Sequence, residues 1–115
     1  MIRLKSKNVN IKELKTQLKC KIFDIALTIR KIEGEDYTVV ITSGNDGKHM
    51  KNSKHYSNEA IDIRTNNMID PDTVALRIKG LLGKDFDVVL EQTHIHIEYD
   101  PKGYKRIMDY LNNKK

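Results

Sequence analysis

Apolar residues at Ile11, Leu14, Leu18, Ile22, Ile25 and Ile29 are spaced by three and four, which puts them on one helical face. The spacing predicts helix over residues 10–33, with Asn10 as the N-cap and Gly34 as the stop. It leaves open one continuous helix or two with a bend near Cys20. The period then changes. Tyr37 to Thr42 is rich in β-branched residues and reads as a buried strand. Ser43-Gly44-Asn45-Asp46-Gly47 is a cluster of turn formers, and the apolar-poor stretch up to Asn58 reads as an ordered loop. Ala60 to Arg64 reads as a second strand. At Asp70-Pro71-Asp72 a capping carboxylate, a proline suited to the first helical position and an acid that complements the dipole coincide. Val74, Leu76, Ile78, Leu81 and Leu82 carry that helix to about Gly83. Phe86 to Leu90 and His94 to Tyr99 are two more strands, and a short helix from Tyr104 to Leu111 precedes a polar tail. This order of elements predicts an α+β fold: a small, mostly antiparallel sheet flanked by helices.

The chain has 115 residues, the size of one domain, and can bury a core without disulfides. Cys20 is its single cysteine, so no internal disulfide framework exists, which fits a reducing compartment. Met1 to Lys7 carries charges where a signal peptide needs an apolar run, and no stretch approaches the ~20 apolar residues of a membrane span. Synthesis in the cytoplasm without a signal peptide is therefore expected. The 21 Lys and Arg outweigh the 16 Asp and Glu, for a net charge of +5. That balance suits an anionic partner. Without a basic run interleaved with aromatics, specific nucleic-acid binding is not the expectation.

The four histidines alter the picture most, because they fall in two short segments. His49 and His55 precede Asp62, and His94 and His96 lie in Glu91-Gln92-Thr93-His94-Ile95-His96-Ile97-Glu98. Residues two apart in a strand share a face, so His94 and His96 project together while Ile95 and Ile97 face a core. Asp62 likewise alternates with Ile61 and Ile63. His55, on the loop upstream, can fold over to join Asp62 and either His94 or His96. Imidazole and carboxylate are zinc donors, and three protein ligands leave a position for water in a catalytic site. The expectation is one Zn2+ per chain.

Ser53-x-His55-x-x-Asn58-x-Ala60-x-Asp62 followed by His94-x-His96 resembles the M15-type zinc peptidases of the lysostaphin/D-Ala-D-Ala peptidase/hedgehog superfamily. The run from Asp46 to His49 and Phe86-Asp87-x-Val89 leading to Glu91 add to the likeness, which covers residues 36–99. The resemblance implies a hedgehog/D-Ala-D-Ala peptidase-like fold and His55, Asp62 and His96 as the zinc ligands. It places His94 beside the metal as a residue acting on the transition state, and His49 at the border of the metal-bound water. Glu91 is the best candidate for the general base, with Glu98, which shares the parity of the two histidines, as a lesser one. The chain departs from the family in two places. Asn58 stands where Gly is usual, and Asn is the next best residue for a positive φ. Ser43-Gly44-Asn45 replaces a segment whose Arg holds a substrate carboxylate, and Lys48, Lys54 and Arg64 are substitutes the sequence does not rank.

The expected activity is zinc-dependent hydrolysis of peptidoglycan stem peptides, at D-Ala-containing or L-Ala-D-Glu type bonds, by a carboxypeptidase or endopeptidase. A phage or prophage lysis enzyme fits, acting as a monomer at the cell wall after release by a membrane-permeabilising partner. The alternative is a non-catalytic, zinc-bearing binding domain of hedgehog-like type. A basic nucleic-acid-binding protein is a third reading and predicts no metal.

Overall fold

Two strands in which isoleucine alternates with polar residues pair with each other, and the pairing decides which side chains meet. The computed structural model of the chain describes residues 1–44, 59–101 and 111–112. Its elements are β1 (Ile2–Leu4), α1 (Thr16–Lys19), α2 (Ile22–Glu33), β2 (Val39–Ser43), β3 (Ala60–Arg64), α3 (Pro71–Leu82), β4 (Phe86–Leu90) and β5 (His94–Tyr99). The strands form one sheet in the order β1-β2-β3-β5-β4. β1 pairs parallel to β2, and the β2–β3, β3–β5 and β4–β5 pairings are antiparallel. A mixed, mostly antiparallel sheet with helices is the α+β architecture expected.

The core lies on one face of this sheet. Ile61, Ile63, Ile95 and Ile97 are within 1% of full burial and pack in one cluster with Ile25 and Ile29 of α2 and with Val74, Ile78 and Leu82 of α3. Each such side chain contributes roughly 1.5–3 kcal/mol through removal from water. Burial on this face obliges the alternate residues of β3 and β5 to share the other one.

The boundaries differ from expectation at the N-terminal end. Helix does not begin at Asn10. The Asn10 Oδ1 accepts the Lys12 N–H at 3.0 Å, a local turn bond that competes with a helical start. Lys15, at φ −55° and ψ 140°, is extended, so helix starts at Thr16. Leu14 is nonetheless buried in the core from a turn. The bend near Cys20 is present: the Lys21 N–H bonds to Leu18 O in a tight turn, and α2 begins at Ile22. The strand expected from Tyr37 starts at Val39, because the Tyr37 N–H closes a turn onto Gly34 O. β1 was not expected, since a three-residue alternation is too short to be a signal, and it docks through Val39 N–H on Met1 O at 2.8 Å. α3 is as expected, with the Asp70 side chain accepting the Thr73 N–H at 3.2 Å and Pro71 at the helix start. The final helix expected over residues 104–111 falls almost wholly outside the described residues. Among the described residues no helix is long and apolar enough to cross a membrane.

Candidate metal centre

The sheet register builds the site. β3 and β5 pair Asp62 with His96, Arg64 with His94 and Ala60 with Glu98. β4 sets Val89 against His96 and Asp87 against Glu98 on the far side of β5. These residues share the face opposite the isoleucines, by the two-residue period. Glu91 joins them through the β4–β5 turn, which the Glu91 N–H closes on His94 O at 2.8 Å. On the other flank, β2 brings Ser43 opposite Asp62, across a register shift between Ile41 and Ser43.

Asp62 is 8% exposed, one of the few buried polar residues described. A carboxylate so placed is costly unless its oxygens are occupied. His96 Nδ1 lies 2.9 Å from Asp62 Oδ1, and His96 Nε2 lies 2.9 Å from Glu98 Oε1. The ring is thus held edge to edge between two carboxylates. The hydrogen bond with Asp62, the bond with Glu98 and the two negative charges push the His96 pKa up to about 9, against the opposing effect of burial.

His94 sits one pleat away. Its Nε2 is 2.9 Å from Glu91 Oε2 and 3.7 Å from Asp62 Oδ1, and its Nδ1 is 3.0 Å from Thr93 Oγ1. Of the two imidazoles His96 is thus the nearer to Asp62, whereas His94 contacts Glu91 and Thr93. Glu91 and His94 form a pair beside the Asp62–His96 pair, within reach of one another and of the same face.

Asp62 and His96 are two donors of the kind that zinc takes, while His55 lies outside the described residues. A tetrahedral ion with its ligands at about 2.1 Å separates neighbouring donor atoms by about 3.4 Å. Asp62 Oδ1 and His96 Nδ1 need to part by only a few tenths of an ångström from 2.9 Å. Glu98 on the opposite nitrogen is the carboxylate partner that metal-bound imidazoles commonly have.

Of the expected site residues, the structure brings together Asp62, His94, His96 and Glu91. His49 and His55, with Lys48 and Lys54, lie outside the described residues. Arg64 stands on the site face across from His94. Glu98, the lesser candidate for a general base, touches the His96 nitrogen opposite the one that meets Asp62. A further feature was not anticipated: Asp87, Glu98 and Asp100 each bring a carboxylate oxygen within 4.8 Å of the others. They are the one group of three metal-type donors this close among the described residues. The alternation of Asp87 and of Glu98 is visible in the sequence, but their opposition depends on the β4–β5 register. No family model matches the chain, and no curated protein sequence matches it.

Proposed function

We propose that the chain is a zinc-dependent peptidase acting on peptidoglycan stem peptides, with His55, Asp62 and His96 as the metal ligands. One observation carries the reading: a buried carboxylate and an imidazole nitrogen, on neighbouring strands, aim at each other at 2.9 Å with a second His–Glu pair alongside. A structural role alone would be met by Asp62 and His96. It would not call for Glu91 and His94 in the same cluster.

When bound, zinc polarises the scissile carbonyl and brings the pKa of a coordinated water toward neutrality. The remaining work belongs to the chain's own groups. Glu91 accepts the water's proton on its carboxylate and returns it to the departing amine. His94, whose Nε2 lies between Glu91 and Asp62, donates a hydrogen bond to the oxygen that becomes negative in the transition state. His49 is proposed to assist at the same oxygen. Asp62, buried, contributes charge where the donors converge. The stem-peptide substrate and action at the cell wall rest on the motif resemblance alone, and the net charge of +5 suits that anionic polymer.

The test is metal content of purified protein, then release of peptides from purified peptidoglycan with and without chelator. About one zinc per chain and chelator-sensitive release are expected, with both lost in Asp62→Ala. Glu91→Gln should keep the zinc and lower the turnover by at least ~100-fold. Zinc without release across wall types and D-Ala-D-Ala would transfer the assignment to a non-catalytic binding domain. Absence of bound metal would overturn both.

A further inference from the structure

We infer that Glu98 is the positioning residue of this centre: it holds His96 in the tautomer that carries its proton on Nε2, leaving the Nδ1 lone pair directed at Asp62. The inference rests on the zinc reading above and concerns a residue that reading does not use.

A neutral imidazole has one N–H and one lone pair. His96 has a carboxylate at each nitrogen, Asp62 at Nδ1 and Glu98 at Nε2, both at 2.9 Å. Once the ring is neutral, as it must be to bind a metal, the two acids compete for its single proton. If Asp62 takes the hydrogen bond, Nδ1 is protonated and cannot bind a metal. If Glu98 takes it, Nδ1 is a ligand and Asp62 is left as the second donor. Asp62 alone would thus favour the tautomer that blocks the site, and Glu98 offsets that preference.

The surroundings of Glu98 suit this task. It is opposite Ala60 on β3, a fully buried residue too small to compete for the carboxylate. It is opposite Asp87 on β4, and both Asp87 and Asp100 bring oxygens within 4.8 Å of it. Their charges make the potential at Glu98 more negative and favour an N–H pointed there. Alternation along β5 places His96 and Glu98 on one face, so the contact follows from strand geometry.

The experiment compares wild type with Glu98→Leu, which removes the acceptor, and Glu98→Gln, which keeps a neutral one. Zinc affinity is measured by competition with a chromophoric chelator, and the His96 ring by long-range 1H–15N NMR of the zinc-loaded and metal-free proteins. Expected are a loss of about 10- to 100-fold in zinc affinity for Glu98→Leu, a smaller loss for Glu98→Gln, and an Nε2–H ring in zinc-loaded wild type. The neutral metal-free ring should move toward Nδ1–H in Glu98→Leu. Circular dichroism reports whether Glu98→Leu folds; should it not, the affinity and ring pattern of Glu98→Gln decide. Wild-type zinc affinity in both variants, or an Nδ1–H ring in the loaded protein, overturns the positioning role and leaves the zinc reading standing. A wild type that binds no zinc removes the zinc reading and this role with it.

Discussion

His96 shows how much chemistry one side chain draws from its two neighbours. With Asp62 and Glu98 on its two nitrogens, its pKa is raised from 6.5 to about 9 in the metal-free protein. A folded-state pKa above the unfolded value adds stability that is complete below about 6.5 and is lost as the pH rises through about 9. Chelated wild type should therefore lose stability to urea between pH 6.5 and pH 9, and His96→Gln should flatten that part of the profile. Zinc bound at His96 as proposed must displace the same proton, so its apparent affinity should rise about tenfold per pH unit over this window. A pH-independent affinity, measured with the same competing chelator, would count against His96 as a ligand. Much at this scale was legible in the sequence. The period-two alternation alone put Asp62, His94 and His96 on polar faces. The partner of each ring nitrogen was not legible, because it depends on register: Asp62 meets His96 rather than His94 only through the pairing of β3 with β5.

At the scale of elements, local signals succeeded where local bonds decide the outcome. Asp70, Pro71 and Gly83 bound α3 as expected because a cap, a fixed φ and a positive φ act within a turn. The same period-three spacing misled over residues 10–15, where a side-chain bond from Asn10 and an extended Lys15 hold Leu14 in the core without a helix. Asn10 matters again through Gly44, which is buried at the end of β2 and leads into the segment bearing His49 and His55. A Cβ on Gly44 would overlap the Asn10 carbonyl oxygen, a backbone atom that cannot swing aside. Gly44→Ala should cost about 1–3 kcal/mol, as overpacking in a tight site does. A lowered urea midpoint with an unchanged slope is the expected result, and an unchanged midpoint would show that the two backbones separate without cost.

The whole molecule divides its labour between two faces of one sheet. Isoleucines on one face join α2 and α3 in the core, while Asp62, Glu91, His94, His96 and Glu98 occupy the other. Stability and the proposed metal binding should then be separable. Zinc that binds only the folded chain, at about 100 times its Kd, stabilises by about 2.7 kcal/mol, which for a domain of this size moves Tm on the order of 10 °C. Ile78→Ala, on α3, opens a cavity in the core and should lower Tm in both forms by the effect of about 2–5 kcal/mol. It should nonetheless preserve most of the zinc-induced rise, because Ile78 lies on the helix side of the sheet. Asp62→Ala should differ in kind: the chelated protein loses the Asp62–His96 contact, and zinc brings no rise. Calorimetry of the three proteins with zinc and with chelator distinguishes these behaviours. If Ile78→Ala abolished the rise as completely as Asp62→Ala, the two faces would be coupled, and zinc would be stabilising the core as a whole rather than closing one pair of strands.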